Sequence, residues 1–440
     1  MEHDSTARTG ALRSTLAALA LGAALAPAAA PAAGFGLYEG SARGNVTPAG
    51  LAANGGDASA LYFNPAAITA VPGTQAALGL TAIVPTADVT TRNPYTGERN
   101  RSYGDGKVWP IPHAYLTSQL SDSLWCGLGV GTRFGLGAEF DEDWPGRYSS
   151  YKAEILSFDV APTLAWKATD RLSLAVGISI RYFDIELAQK IDAAGMNGLR
   201  NYNDPSASPF DVDQNLHGDD VKPALDLGLA YKATDTLTVG AAYHSRIKFK
   251  CEGDAKWRKP PAVQALAPAA FSDTTFHAYN YNPDAFLLSL AWDATERLTL
   301  SAGATYTTWS LYDDLQIDLH APMLPGVAKL QSDKKWHDTW RLSLGGDYTL
   351  DEAWTLRAGY TWDQSPINGR HVDYLVPGDN RHILAVGAGW SRDAWTVEAS
   401  YFYEIVDDFD VKGRPRNGVY DGKFCGASAH ALALTVARSF

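Results

Sequence analysis

Apolar and polar residues alternate with a period of two from about residue 73 to the C-terminus, and this pattern limits the fold more than any other feature of the chain. Residues 171–181, 236–250 and 354–363 show it most clearly. In residues 354–363 every second side chain is apolar, namely Trp354, Leu356, Ala358, Tyr360 and Trp362. A helix has about 3.6 residues per turn and cannot gather such residues on one face. The pattern therefore predicts a succession of two-faced β-strands.

The alternation also assigns individual side chains to faces. Within residues 236–250 the apolar face is predicted to carry Leu237, Val239, Ala241, Tyr243, Ile247 and Phe249. Arginines on the opposite faces of the strands are candidates for an interior lined by polar groups: Arg181, Arg246, Arg341 and Arg357.

Tight polar turns separate pairs of these strands, with Lys-Ala-Thr-Asp at residues 167–170 and again at 232–235. An aromatic residue precedes most of the turns: Trp166, Tyr231, Trp292, Tyr348 and Trp390. Short turns at one end, long loops at the other and a belt of aromatic residues are typical of outer-membrane barrels. A soluble β-sandwich or propeller is the alternative, but so many outward Trp and Tyr residues do not suit it.

The runs and turns delimit fourteen strands, an even number as a closed antiparallel barrel requires. The expected strands are approximately 73–90, 107–120, 123–140, 152–168, 171–188, 220–233, 236–251, 276–292, 297–312, 334–350, 353–364, 381–391, 394–410 and 426–440. The predicted fold class is all-β, a 14-stranded antiparallel transmembrane β-barrel spanning residues 73–440, with an N-terminal hatch (plug) in its lumen.

Two segments precede the barrel. Residues 1–32 combine a basic start, an apolar run from Leu16 to Ala26 and small residues before Ala33, and they predict a secretory signal peptide. A membrane anchor is the alternative, although the run is short and broken by proline. Residues 33–72 are rich in small residues, lack a period of two and are too few for a domain with its own core. We expect them to pack inside the barrel as the hatch.

The net charge and the absence of known sequence motifs exclude several classes of function. A net charge of −12 argues against nucleic acid as a partner. The ten histidines form no HExxH motif, the three cysteines form no CxxC, and no nucleophile motif stands out, so neither a metal nor a cofactor is expected. The sequence leaves two alternatives for Cys126, Cys251 and Cys425: one pair forms a disulfide, or all three are free thiols.

The stretches GFGLYEGSARG (residues 34–44) and GDASALYFNPAAIT (residues 56–69) resemble the hatch of FadL-type outer-membrane transporters of long-chain fatty acids and aromatic hydrocarbons. The Asn64-Pro65-Ala66 triplet matches the hatch motif of that family. The resemblance continues through residues 133–140, 306–310 and 361–366 and covers essentially the whole mature chain.

This resemblance implies passive uptake of a hydrophobic small molecule, and not an enzyme. It also implies a hatch that closes the pocket towards the periplasm and a kink in the third strand that opens the wall sideways. Phe35 and Leu37 match positions near the pocket, although plain packing of the plug is the alternative. Asn64, Pro65 and Ala66 either anchor the hatch or contact ligand. Phe134 and Gly135 lie at the expected kink, within residues 127–137, which carry five glycines. The alternative is that these glycines only make room for the plug.

The loops at 190–219 and 252–275 correspond to the groove-forming loops of the family. They offer Leu199, Phe210, Val263, Leu266 and Phe271 as a greasy capture site or as ordinary loop packing. The run Lys256-Trp257-Arg258-Lys259 is either a contact for lipopolysaccharide or a solvated edge. No arginine maps onto a carboxylate site, so fatty acid and uncharged hydrocarbon both stay open.

The expected partners are the hydrophobic ligand, outer-membrane lipid and lipopolysaccharide, and the barrel assembly machinery, whose signal the C-terminal Phe440 resembles. A monomer in the outer membrane of a Gram-negative cell is expected. Two other functions are open: a barrel enzyme of the lipase or protease type, for which no site is recognisable, and an open diffusion porin, which a plug disfavours.

Overall fold

The computed structural model describes residues 34–104 and 106–440, so the predicted signal peptide lies outside the described residues. Twenty-one strand segments occur in the described chain. In chain order they are β1 (Thr74–Arg92), β2 (Arg99–Tyr103), β3 (Trp109–Gln119), β4 (Leu124–Gly131), β5 (Gly135–Glu139), β6 (Lys152–Lys167), β7 (Leu172–Asp192), β8 (Asp211–Lys232), β9 (Leu237–His244), β10 (Ile247–Arg258), β11 (Thr274–Asn282), β12 (Ala285–Thr295), β13 (Leu298–Thr307), β14 (Asp314–Leu319), β15 (Lys329–Asp333), β16 (Thr339–Thr349), β17 (Trp354–Asp363), β18 (Arg381–Arg392), β19 (Trp395–Val406), β20 (Phe409–Val411) and β21 (Gly422–Ser439).

These segments form one closed antiparallel barrel of fourteen strands, which confirms the predicted fold class. Each strand pairs with its neighbours in the chain, and β1 closes the barrel by pairing with β21 from Gln75↔Ser439 onwards. Three barrel strands consist of two segments each: the third (β4 and β5), the seventh (β9 and β10) and the eighth (β11 and β12). The short segments β2, β14, β15 and β20 extend the loops.

Closure is what allows strands to cross a bilayer, because every backbone N–H and C=O in hydrocarbon needs an internal partner. None of the helices among the described residues is long and apolar enough to cross a membrane.

The predicted alternation agrees with the burial of the side chains. Val176, Ile178 and Leu344 are exposed on the outer face, whereas Ser179 and Arg181 are buried on the inner face. Arg341 and Arg357 also lie inside, with side chains that are 11% and 7% exposed. The barrel therefore presents apolar side chains to lipid and encloses polar ones.

The assignment of Arg246, Ile247 and Phe249 was wrong. Strand 7 breaks at Ser245 and Arg246, and the alternation changes phase there. The Arg246 side chain is 60% exposed, whereas Ile247 and Phe249 are buried inside. Ser245 and Arg246 lie outside the ladder opposite Pro283 and Asp284, and beyond this break the odd-numbered side chains face the interior instead of the lipid.

The strands also differ from the expected ones at the long-loop end. β8 begins at Asp211 instead of 220, and β10 continues to Arg258 instead of 251. The predicted loops 190–219 and 252–275 therefore shrink to residues 193–210 and 259–273. The expected eighth strand 276–292 is β11 followed by β12, interrupted at Pro283 and Asp284.

The predicted aromatic belt lies at the end with the short turns, where Trp166, Tyr231, Trp292 and Tyr348 are exposed on the outer face and Trp390 is half-buried. A second set lies towards the long loops, with Phe286 and Trp340 among its members. Aromatic rings at these two levels mark the membrane–water interfaces, so the apolar band lies between them.

Residues 34–72 fold into short helices, Pro48–Asn54 and Ala60–Phe63, and a 3₁₀ turn, Pro65–Ala70. Their side chains are almost all buried against the inner face of the barrel. Tyr115 donates its hydroxyl to Gly40 O at 2.6 Å, and Trp125 Nε1 donates to Val71 O at 2.9 Å. The segment thus bonds to strands on the inside, as a structure without its own core must.

The apolar band predicts how arginine substitutions act at different depths. Leu344 lies midway along β16 between Trp340 and Tyr348, and 61% of it is exposed to the outside. Leu344→Arg should lower the free energy of unfolding by about 2–4 kcal/mol, because the charge enters the middle of the hydrocarbon. Leu350→Arg, at the turn that follows the same strand, is the control and should cost at most about 1 kcal/mol.

Reversible unfolding in lipid vesicles measures both effects, and heat-modifiable gel mobility checks that each variant folds. Equal losses at the two depths would contradict the assignment of Leu344 to the lipid face.

Candidate ligand-binding and gating site

The third barrel strand is interrupted where the sequence predicts a kink. β4 ends at Gly131 and β5 begins at Gly135, with Thr132, Arg133 and Phe134 between them. β4 pairs with β3 only from Val130↔Ala114 to Trp125↔Gln119. β5 pairs with β6 on one side, and no described strand pairs with its other edge. The wall therefore lacks a ladder between β5 and the first part of β3.

The N-terminal segment takes over the hydrogen bonds that the interruption leaves open. Gly135 N donates to Phe35 O at 2.9 Å, and Leu37 N donates to Arg133 O at 2.8 Å. Gly36 and Phe134 form the antiparallel bridge between these bonds. A Cβ atom at Gly135 would lie 2.8 Å from Leu37 Cδ1, so a larger residue would push the segment away. Four predicted site residues, Phe35, Leu37, Phe134 and Gly135, thus meet at one place.

Phe35 is fully buried at the centre of an aromatic cluster that we call the Phe35 cluster: Phe35, Phe134, Trp309, Tyr312 and Trp336. The ring of Phe35 lies 4.8 Å from Trp309, 5.7 Å from Tyr312 and 5.9 Å from Trp336, measured between centroids. Burial raises the pKa of Tyr312 and keeps its ring uncharged. The cluster is thus an apolar constriction made by the N-terminus and the wall together.

A small cavity of about 70 Å³ lies on the lumen side of this constriction. Leu37 and Phe134 form its apolar wall, and Arg133 and Arg181 line it as well. Arg181 makes a two-pronged contact with Asp159 at 2.6 and 2.7 Å and lies over the Phe134 ring at 4.7 Å. Such charge pairing suits a barrel interior and leaves the apolar wall for a ligand.

A larger cavity of about 270 Å³ lies among the long loops. Leu216, Leu315, Ile317 and Met323 belong both to its lining and to the buried cluster around Phe35. Its polar side includes Gln214, whose buried Nε2 finds no acceptor among the described residues. Lys334 and Asp373 also line it and form a buried ion pair with each other. The cavity is therefore amphipathic, and its apolar side belongs to the same packed core as the constriction.

The predicted loop residues divide into two groups. Leu199 and Leu266 are exposed at 67% and 73%. Phe271 and Val263 are buried in the cluster around Phe35, and Phe210 packs against it. Loop packing thus explains Phe210, Val263 and Phe271, while Leu199 and Leu266 are free to meet an apolar molecule.

The Asn64-Pro65-Ala66 triplet fastens the N-terminal segment to the wall. Asn64 Nδ2 donates to Ala52 O at 2.8 Å and to Leu229 O at 2.9 Å, and its Oδ1 accepts from Ala66 N at 3.1 Å. A Cβ atom at Gly228 would lie 2.5 Å from Asn64 Oδ1, so the wall needs glycine there. The polar atoms of Asn64 are therefore occupied by the protein.

A serine, an aspartate and a histidine also meet inside the barrel. Ser179 Oγ donates to Asp226 Oδ2, and His244 Nδ1 lies 2.6 Å from Asp226 Oδ1. In a hydrolase the histidine must accept the serine proton, but here the carboxylate accepts it. The group therefore orders the interior instead of activating a nucleophile. The described residues contain no cluster suited to a metal ion.

Sequence reasoning missed Trp309, Trp336, Lys334 and Asp373. These residues lie after β13, where the chain leaves the period-two pattern, and only the fold brings them to Phe35 or to the larger cavity. Two tryptophans on either side of a loop that breaks the alternation were the available signal.

A closed fourteen-stranded barrel with an interrupted wall and an apolar constriction belongs to the class of outer-membrane transport barrels. Residues 23–440 match the family model described as outer membrane protein transport protein (OMPP1/FadL/TodX). The chain belongs to this family, and it is an outer-membrane protein. The family is one of transport proteins, in agreement with the expectation that the chain is not an enzyme.

Individual relatives are distant but cover most of the chain. A putative outer membrane protein of Neisseria meningitidis serogroup B is 26% identical over 444 residues, covering 93% of each chain. The long-chain fatty acid transport protein of Escherichia coli O6:H1 is 23% identical, covering 88% of this chain and 91% of its own. The crystal structure of a Pseudomonas aeruginosa FadL homologue superposes with a TM-score of 0.81 at 22% identity, covering 92% of this chain and 100% of that one.

The contacts of Asn64 predict a specific loss when its side chain is removed. Asn64→Ala removes the donor that bonds the Ala52 and Leu229 carbonyls and should destabilise the N-terminal segment by about 1–3 kcal/mol. The loosened segment should raise steady ion conductance in planar bilayers. Asn45→Ala is the control, because Asn45 makes only one side-chain bond, to Thr81 Oγ1 at 3.2 Å. Equal conductance in the two variants would contradict the anchoring role of Asn64.

Proposed function

We propose that this protein carries hydrophobic small molecules, long-chain fatty acids or related hydrocarbons, passively across the outer membrane. Residues 33–72 act as the hatch, and the ligand leaves sideways into the bilayer at the third strand. The observation that carries the proposal is the interrupted strand whose open backbone groups are bound by Phe35 and Leu37. The gate and the hole in the wall are then parts of one structure.

The filled lumen supports a carrier in preference to an open porin. Helices and turns of residues 34–72 contact strands around the barrel and bury nearly all their side chains. Ion networks hold the segment, with Arg43 bridging Asp57 at 3.4 Å and Asp347 at 3.7 Å. A water-filled channel of the porin type needs an empty lumen.

The proposed path begins at the long loops, which face outside, while the short turns face the periplasm. Exposed Leu199 and Leu266 capture the ligand, and the 270 Å³ cavity receives it. Phe210 and Phe271 support that cavity from within the packed loops. Displacement of Phe35 then opens the constriction towards Phe134 and Gly135. Asn64, Pro65 and Ala66 keep the rest of the hatch in place.

Sideways exit agrees with the physical chemistry of such ligands. Each CH₂ group gains about 0.8 kcal/mol by staying out of water, so release into the periplasm would oppose transport. A small apolar pocket lined by Leu136, Ala138 and Phe140 of the third strand and Pro85 of β1 lies beside the interruption. It offers an apolar surface beside the gap in the ladder.

The ligand class follows from relatives and from the cavity. One relative is named a long-chain fatty acid transport protein, and a neighbour with a TM-score of 0.69 at 17% identity is the toluene transporter TodX of Pseudomonas putida. Asp373 neutralises Lys334 in the larger cavity, but Arg414 and Arg416 also line it, and neither has a carboxylate within salt-bridge distance among the described residues. The cavity therefore suits a carboxylate as well as an uncharged head, and the proposed ligand class keeps both fatty acids and hydrocarbons.

Three further partners complete the proposal. Phe440, 71% exposed at the end of β21, is the signal for the barrel assembly machinery. Outer-membrane lipid and lipopolysaccharide surround the barrel. The protein acts as a monomer, since each element of the proposed path lies within one chain.

Uptake by cells that lack their own transporters of this kind tests the ligand class. We expect labelled oleate, alkanes, alkyl alcohols and toluene all to enter faster than in cells with an empty vector. Uptake of none of these compounds above the vector level would contradict the proposed function.

A reversible crosslink tests the gate. Gly36 and Phe134 form a pair without mutual hydrogen bonds, where Cα atoms lie about 4.5 Å apart and a disulfide is feasible. Gly36→Cys with Phe134→Cys, in a chain whose three native cysteines are replaced by serine, should fix the N-terminus to the third strand. Oxidation should lower uptake about tenfold or more, since the constriction can no longer open.

The same protein after reduction is the control, because it carries the same substitutions without the bond. Gel mobility after heating checks that the barrel stays folded in both states. Equal uptake by the fully oxidised and the reduced protein would contradict gating by residues 35–37.

A further inference from the structure

A basic and aromatic patch lies on the outer face of strands 7 and 8, and it belongs to neither the cavities nor the gate. Lys248 and Lys250 of β10 point outwards and pair across the ladder with Tyr281 and Tyr279 of β11. Lys248 Nζ lies 4.3 Å from the centroid of the Tyr279 ring and 5.2 Å from that of Tyr281. We call these four residues the Lys-Tyr patch.

The patch lies just outside the hydrocarbon layer. Tyr243 and Phe286, whose rings are 5.0 Å apart, belong to the aromatic belt on the long-loop side. Lys248 is five residues further along strand 7 than Tyr243, towards the long loops. Residues 220–225 of β8 and 245–251 of strand 7 share no ladder pairs, and Lys250 N donates to Asp220 Oδ2 instead. Bonds of this kind replace the ladder here, as the N-terminal segment does at the third strand, and the position beyond Tyr243 and Phe286 places the patch at the level of the head groups.

Lys248 differs from the other basic residues of this region, each of which pairs with a carboxylate. Arg246 pairs with Asp284 at 2.7 Å, Lys222 with Asp220 at 3.2 Å, and Lys250 with Glu252 at 2.6 Å. Lys248 has no carboxylate within salt-bridge distance among the described residues. The Lys248 ammonium group therefore has the two tyrosine rings as its partners, and it faces the level of the head groups.

The basic run predicted at residues 256–259 lacks this property. Arg258 contacts Asp213 at 2.6 Å and Glu142 at 2.7 Å. Lys259 Nζ donates to two loop carbonyls, and Trp257 is buried. Lys256 lies 4.0 Å from Asp254. Trp257, Arg258 and Lys259 therefore close the loops onto the barrel, whereas the Lys256 side chain remains exposed.

We propose that the Lys-Tyr patch binds the phosphorylated sugar head group of an outer-leaflet glycolipid, lipopolysaccharide. Ammonium groups bind phosphate as point charges, and tyrosine offers both a flat apolar face and a hydroxyl to a sugar ring. The acyl chains lie beneath, on Leu225, Phe286 and Leu288, which are exposed to lipid. The proposal uses the proposed orientation with the long loops outside and does not depend on which ligand the barrel transports.

Binding of purified lipid A to the purified full chain in detergent, followed by native mass spectrometry, tests the patch. Lys248→Gln combined with Lys250→Gln should weaken binding of lipid A that carries both phosphates by about tenfold or more. The control is Lys167→Gln combined with Lys232→Gln, which removes the same charge near the short turns. The control variant should bind like the original protein.

Two other lipids identify what the patch reads. Lipid A without its phosphates keeps the same acyl chains and should bind the original protein weakly. Its affinity should match that of doubly phosphorylated lipid A for the variant in which both lysines are replaced. Phosphatidylglycerol has a phosphate but no glucosamine sugar and should bind weakly to both proteins. Equal lipid A binding by the original protein and the variant would overturn the proposal, as would equal binding of dephosphorylated lipid A or of phosphatidylglycerol.

Ligand uptake by the same variant separates this proposal from the transport function. Normal uptake together with lost lipid A binding supports both. The oxidised protein with Gly36→Cys and Phe134→Cys should lose uptake but still bind lipid A. This result would show that the crosslink acts on the gate and not on the Lys-Tyr patch.

Discussion

The demand that each backbone N–H and C=O in a bilayer has a partner shapes this whole protein. A barrel strand can leave the ladder only if something else meets its polar groups, because an unpaired group in hydrocarbon costs several kcal/mol. The third strand leaves the ladder at Thr132–Phe134, and Phe35 and Leu37 of the N-terminal segment supply the missing partners. The hole in the wall is therefore stable only while the N-terminus stays beside it, which ties the two features together.

The polar interior follows from the same constraint applied to side chains. The inner face of each strand needs partners for its charges once the lumen is filled, and the N-terminal segment has few charges of its own. Pairs across the strands meet most of this need, for example Arg381 with Asp363 and Glu404, and Arg357 with Asp347 and Glu398. Arg43 and Asp57 join the last of these networks from the segment. Buried pairs of this kind add little net stability but penalise any arrangement that separates them.

The fold was predictable because lipid outside and protein inside impose the period-two pattern on nearly every strand. The pattern no longer predicts strands where they extend beyond the membrane. In β8 and β10 the outward residues there are charged and the inward ones are packed against loops, so residues 211–219 and 252–258 looked like loop. The sequence pattern did not reveal the change of face at Ser245 and Arg246 either. The lysines that follow look like a continuation of the polar face of the same strand.

The site was predictable only where a motif carried it. Phe35, Leu37, Phe134 and Gly135 came from resemblance and do meet, whereas Trp309, Tyr312 and Trp336 lie about 300 residues away in sequence and meet Phe35 only through barrel closure. Leu199 and Leu266 kept their expected exposure, but Phe210 and Phe271 turned inward, because a large ring on a loop of this size finds a core within reach. Composition alone does not separate these two outcomes.

The energetics of the gate follow from what holds Phe35. Two backbone hydrogen bonds contribute about 0.5–1.5 kcal/mol each, and burial of one phenylalanine side chain contributes about 1.5–3 kcal/mol. The apolar part is thus the larger share, and an apolar ligand in the 70 Å³ cavity, which Trp309 lines, can cover Trp309 in its place. A ligand changes a conformational equilibrium only through its different affinity for the two states. Exchange of one apolar group for another supplies such a difference for any ligand long enough to reach the cluster, so the proposed gate selects for apolar length more than for the chemistry of the head group.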